Sequence, residues 1–304
     1  MKRRKRTLIS LLVAIAVPAA VAATAAARQL PDQVSTNWAG YAAVTGASTH
    51  AFAKRFTSVS GSWVQPTATC VPGQPTFSAF WVGLGGYRQS SRSLEQIGTE
   101  ADCSAAGAIS YYAWYEYVPA GPRTIHKIPV SPGDTITATV HVRHGRAAVS
   151  LTDTTTGASY TRIQTMRSPR PDAGAAEWIA EAPSNCNNSG CTPLTLTNFG
   201  SVAFTNATAT SIGLDGRQSG AIDDPAWIYG AINLQASNGG FRFGHELRSS
   251  ATVGTLAATG DGFSVTYTGG TQPPGWSPTG PTGTSGTTGT SGASGTSGAT
   301  GATG

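Results

Sequence analysis

Thr135-Ile-Thr-Ala-Thr-Val-His-Val142 alternates without a break: Ile136, Ala138, Val140 and Val142 fall on one side, the threonines and His141 on the other. Successive side chains of a strand point to opposite faces, so a period of two marks a strand with one face buried. Phe263, Val265 and Tyr267 repeat the pattern, and Tyr111 to Tyr117 is an aromatic run of the kind strands favour. Ser131-Pro-Gly-Asp134, Thr156-Gly157 and Asn238-Gly-Gly240 supply turn chemistry between such runs. No amphipathic helical pattern stands out over residues 35–268. An all-β body of many short strands, a sandwich or a barrel, is expected there, with enough chain for one substantial core.

Outside that body the composition changes. Lys2, Arg3, Arg4, Lys5 and Arg6 precede an apolar run from Leu8 to about Ala23, and Ala25, Ala26 and Ala27 follow. A basic start, a short apolar core and a small-residue exit predict a secretory signal over residues 1–27, removed from an extracellular product. Those five basic residues account for the +5 charge of the whole chain, so the remainder is balanced and only Lys54 and Lys127 are left as lysines. A neutral body gives no electrostatic reason to bind nucleic acid, or a membrane once the leader is gone, and a monomer is expected. Residues 270–304 form a separate tail. From Gly280 onward every third residue is glycine, but Pro281 is the only proline in those triplets. Without imino acids a collagen helix is disfavoured, and a disordered Gly/Ser/Thr tail is expected, one that could hold the protein at a cell surface.

The four cysteines are Cys70, Cys103, Cys186 and Cys191. An even count in a secreted chain predicts two disulfides. Cys186 and Cys191 suit a small loop and would leave Cys70 for Cys103, although spacing alone permits three pairings. No paired short Cys or His spacing suggests zinc, and no metal or organic cofactor is expected.

The usual hydrolase signatures are missing: there is no G-x-S-x-G elbow and no H-E-x-x-H helix. What remains is a set of acids and one amide inside strand-like, aromatic sequence: Ser93-Leu-Glu-Gln-Ile-Gly98, Tyr111-Tyr-Ala-Trp-Tyr-Glu-Tyr117 and Ala176-Glu-Trp-Ile-Ala-Glu181. Burying a carboxylate costs several kcal/mol unless it is paired, so such positions call for a reason. If these runs are extended, Gln96 shares a face with Glu100, Glu116 with Tyr112 and Trp114, and Glu177 with Ile179 and Glu181.

Together these segments resemble the glutamic peptidases of the scytalidoglutamic (eqolisin) family. The resemblance begins at Asn37-Trp-Ala-Gly-Tyr41 and Phe80-Trp-Val-Gly-Leu84. It runs through the three acid-bearing segments to Asn198-Phe-Gly-Ser-Val-Ala-Phe-Thr-Asn206 and Phe263-Ser-Val-Thr-Tyr267. It implies an antiparallel two-sheet β-sandwich, concanavalin-like or jelly-roll-like, as a single domain with its site on a concave face. It also implies hydrolysis of polypeptides in acid, with Gln96 and Glu177 as the catalytic pair and Trp81, Glu116 and Glu100 lining the substrate cleft. Glu100 and Glu116 are expected near Glu177, where clustered carboxyls would raise one another's pKa. The chain departs from the family at Trp81-Val-Gly-Leu-Gly-Gly86, where the family tends to carry an aspartate before the last glycine. It departs again in the Arg- and Ser-rich stretch from Tyr87 to Ser93, and in having few residues between the leader and Asn37. Two other readings compete. A carbohydrate-binding sandwich would leave Gln96 and Glu177 apart or outside a cleft and would cut no protein, and a surface protein working through its repeat tail would not need them.

Overall fold

The structure, a computed structural model, describes residues 28–45, 54–187, 190–237 and 248–269. The expected leader, the Asn238-Gly-Gly240 turn and the glycine-rich tail lie outside these residues. The described chain is all strand and turn. In order it forms β1 (Arg28–Gln29), β2 (Gln33–Ser35), β3 (Trp38–Val44), β4 (Arg55–Val64), β5 (Ala79–Gly85), β6 (Leu94–Cys103) and β7 (Ile109–Tyr117). Next come β8 (Arg123–Pro129), β9 (Thr135–Arg143), β10 (Arg146–Asp153), β11 (Ser159–Thr165), β12 (Ala175–Glu181), β13 (Ser184–Asn187) and β14 (Gly190–Pro193). The last are β15 (Ser201–Gly213), β16 (Gly216–Ala221), β17 (Ile228–Ser237), β18 (Arg248–Val253) and β19 (Phe263–Tyr267). Strand structure thus starts at Arg28, ahead of the expected body.

The pairings define two antiparallel layers. One runs β17-β3-β12-β5-β6-β7-β8. The other runs β11-β10-β9-β4-β15, with β16 and β19 along the far edge of β15. β18 hydrogen-bonds to both β17 and β19, so the two layers are one sheet folded over on itself. At the opposite end β8 and β11 touch without pairing, which leaves an open seam. β13 and β14 form a separate hairpin with Cys186 opposite Cys191, and these two are bonded; the second disulfide joins Cys70 to Cys103.

The core lies between the layers. Phe80, Val82, Ile97 and Trp178 meet Phe56, Trp63, Ile136, Val140, Leu151 and Phe204 there. The face of β9 that alternation marks as apolar is buried, and His141 on the other face is exposed. Two buried indoles tie the layers together with their N–H groups satisfied. Trp178 donates to the Ser60 carbonyl at 2.7 Å and Trp63 to Thr99 Oγ1 at 3.0 Å. The first layer is buried on its other side as well, where Trp38, Trp81, Leu94, Trp114 and Ile179 form a second apolar cluster. For that reason β3, β5 and β12 are buried at every residue.

Candidate active site

The registers of β3, β12, β5, β6 and β7 set side chains in transverse rows on this second face. One row reads Ala42, Glu177, Gly83, Gln96, Glu116. The next reads Gly40, Ile179, Trp81, Gly98, Trp114, and a third Trp38, Glu181, Ala79, Glu100, Tyr112. Gln96 and Glu177 therefore face each other across one strand, about 10 Å apart at Cα from two strand spacings. The residue between them is a glycine. A Cβ on Gly83 would lie 2.9 Å from both Leu94 Cδ1 and Trp81 Cζ3, so those two side chains occupy the space that the glycine leaves. Gly98 serves the next row, where a Cβ would lie 2.1 Å from the Phe80 carbonyl oxygen and 2.6 Å from Trp81 Cβ.

The polar atoms of the row are arranged unevenly. Gln96 Nε2 donates to Glu116 Oε2 at 2.6 Å, which fixes the amide, while Gln96 Oε1 is buried without a partner. Neither carboxyl oxygen of Glu177 has a hydrogen-bond partner, and the residue is fully buried. Burial pushes its pKa well above the ordinary carboxyl range, and the charges of Asp172 and Glu95 push the same way. These neighbours differ from the expected ones. Glu116 lies in the row but engages Gln96, and Glu100 stands two rows along the sheet beside Tyr112 and Asp102. Asp172 reaches the site through the Arg- and Ser-rich loop. The Ser91 hydroxyl donates to Asp172 Oδ2 at 2.5 Å, and the Asp172 N–H donates to Ser93 Oγ at 2.7 Å.

Below the row, Glu181 accepts from Trp81 Nε1 at 2.7 Å and from Asn37 Nδ2 at 3.0 Å. Burial outweighs those N–H groups and raises its pKa to about 7. Trp81 packs edge-on against Trp38, with ring centroids 5.1 Å apart, and is fully buried. It is thus the floor beneath Gly83. Sequence reasoning named Glu181 only as a neighbour of Glu177 and missed Asp172, Glu95 and Asp102. Among the described residues no group of three or more His, Cys, Asp and Glu is placed to hold a metal ion.

The row thus sets a buried carboxyl and an amide on either side of a glycine on one strand face. Residues 36–239 match the sequence model of the Peptidase A4 family, and the chain belongs to that family of peptide-bond hydrolases. It is 29% identical over 203 residues to Aspergillopepsin-2 of Aspergillus niger, a match covering 60% of this chain and 67% of that protein. Its fold is that of scytalido-glutamic peptidase, solved with a transition-state analogue inhibitor, at a TM-score of 0.52 and 22% identity over 76% of this chain and 98% of that one. SCP-B, an eqolisin solved with the tripeptide Ala-Ile-His, superposes at 0.51 with the same identity and coverage. The sugar-binding alternative, which predicts no peptidase, does not fit membership in that family.

Proposed function

We propose that the chain is a secreted, acid-acting endopeptidase in which Glu177 and Gln96 carry the chemistry. Glu177 takes a proton from water, and the hydroxyl oxygen adds to the scissile carbonyl carbon. The free N–H of Gln96 stabilises the oxyanion that develops, and its carbonyl oxygen orients the water. The tetrahedral species collapses with cleavage of the C–N bond, and Glu177 returns its proton to the departing amine. Glu116 acts as a positioning residue, since the bond it accepts decides which way the Gln96 amide points.

The observation that carries this reading is the shared row, with Gly83 between the Glu177 carboxyl, both of whose oxygens are buried and unsatisfied, and Gln96, whose Oε1 is buried and unsatisfied. Glu177 acts as base only when ionised, and the hydrogen bonds that water and substrate bring to its carboxylate favour that form against the burial that raises its pKa. An amide already held in place loses little freedom at the transition state. Secretion is supported by the leader-like first 27 residues and by two disulfides.

The test is digestion of a denatured protein substrate by the purified chain from about pH 2 to 8. Cleavage should follow a bell-shaped profile with its maximum below neutrality, Glu177→Gln should abolish it, and Gln96→Ala should lower kcat by about 100- to 1,000-fold. A plateau of activity through pH 8, or full activity in either variant, would falsify the mechanism.

A further inference from the structure

The charge of the body is balanced as a sum but not in its placement. From Arg143 to Arg170 the chain carries Arg143, His144, Arg146, Arg162, Arg167 and Arg170 against one acid, Asp153. Asp153 stands at the far end of β10 from the β9–β10 turn, and its carboxyl is taken up by the Thr155 and Thr156 N–H groups and the Thr156 hydroxyl. Arg143 and Arg146 face each other at the base of that turn.

Beside them the turn and the connection from β11 to β12 enclose a cavity of about 400 Å³, lined by His144, Gly145, Thr165, Met166, Arg167 and Arg170. That falls within the roughly 300–1,000 Å³ of ligand pockets. No acidic side chain lines it, and among the described residues none of its three basic side chains is in an ion pair. Its walls are pinned. The Met166 N–H donates to the Gly145 carbonyl at 2.7 Å, which ties the connection to the turn, and the Arg170 carbonyl accepts from Ser93 Oγ at 3.3 Å. Met166 is buried, whereas Arg167 and Arg170 are exposed.

Uncompensated cations around a formed cavity call for an anion. Guanidinium groups present paired N–H donors that match the oxygens of a phosphate or sulfate group, and the Thr165 hydroxyl adds another donor. An acid medium selects among anions. Free carboxylates take up protons near about pH 4, whereas a phosphate or sulfate ester keeps a negative charge there and arginine keeps its positive one.

We propose that this cavity binds a phosphate or sulfate group, at a site separate from the catalytic row. None of its lining residues belongs to that row, so the bound anion takes no part in peptide hydrolysis. The same donors serve an inorganic ion and an ester on a polymer, and in the second case the site tethers the enzyme to an anionic matrix.

The test is calorimetric titration of the purified chain at about pH 4. The probes are inorganic sulfate, dextran sulfate and uncharged dextran. Arg167→Gln with Arg170→Gln removes two charges at the cavity, and Lys127→Gln with Arg217→Gln removes two exposed charges on β8 and β16. The parent should bind a charged probe saturably and uncharged dextran not at all. The cavity pair should weaken that binding at least about tenfold and the distant pair less than about twofold, with melting temperature and protein digestion unchanged in both. Affinity per sulfate group that is higher on the polymer assigns the site to an anionic matrix, and affinity no higher assigns it to a free ion. Absence of saturable binding by either charged probe, or an equal loss in the two double variants, overturns the site. A parent that binds sulfate but digests no protein would count against the peptidase reading instead.

Discussion

Gly83 has no side chain between its two row neighbours, and the ends of Leu94 and Trp81 fill the space beside the pair. A methyl group added there would press on Leu94 Cδ1 and Trp81 Cζ3 at 2.9 Å and on the Glu95 carbonyl oxygen at 3.3 Å. Two of these contacts are side-chain ends that can yield, so the fold should survive Gly83→Ala with a melting point only a few degrees lower. Catalysis should suffer more, because a misplacement of about 1 Å can cost about 100-fold in rate. We expect kcat/KM to fall at least about tenfold, measured beside thermal unfolding of the same sample. A variant with parental kinetics would mean that the glycine is incidental.

The two disulfides act on elements of different reach. Cys70–Cys103 closes a separation of 33 residues and ties the end of β6 to the segment before β5, whereas Cys186–Cys191 spans 5 residues inside one hairpin. Loop-closure entropy gives about 4 kcal/mol for the first and about 2 kcal/mol for the second. In chemical denaturation, paired serine replacements at Cys70 and Cys103 should therefore destabilise the fold about twice as much as those at Cys186 and Cys191. Equal losses would contradict that. The same elements explain what could be read beforehand. β9 buries one face and wets the other, so its alternation was plain in Thr135 to Val142. In β6, β7 and β12 the shared faces of Gln96 with Glu100 and of Glu177 with Glu181 followed from period alone. Alternation in β3, β5 and β12 could not say which face holds the site, because both faces are buried. The row depends on the registers between β12, β5 and β6, which no local pattern encodes. Asp172 reaches Glu177 through hydrogen bonds to Ser91 and Ser93, contacts spanning about eighty residues of chain, and that too left no periodic signal.

At the scale of the molecule the buried acids set a direction for stability against pH. Burial raises Glu181 from the ordinary 4.5 to about 7, Glu95 from 4.5 to about 8, and Asp102 from 3.8 to about 6. A carboxyl whose pKa is raised on folding keeps its proton in the native state while the unfolded chain has lost it, so each such group weakens the fold as pH rises between the two values. The stability is complete below about pH 4, declines by about 1.4 kcal/mol per pH unit for each group in its window, and levels off above about pH 8. Melting temperature should accordingly be highest in acid and fall steadily toward neutrality, and Glu181→Gln, which cannot ionise, should flatten the fall. A melting temperature that rises from pH 4 to 8 would contradict this account. The fold is thereby matched to the acid range in which the enzyme is proposed to work.

The open seam between β8 and β11 governs how the molecule behaves among its own copies. Apart from β1, β2 and β16, which pair on one side alone, the other strands of the described sheet have neighbours on both sides, so these two lips carry much of the backbone left free to recruit another chain. β8 exposes Arg123, His126, Lys127 and Pro129 there, and β11 exposes Arg162. Like charges meeting edge to edge, and a proline that lacks an N–H to offer, discourage ladder growth across the seam. Crowded in an acidic medium, where its carboxyls are discharged and general repulsion among them is weakest, the protein still carries a cationic guard along the seam where fibrils would otherwise start.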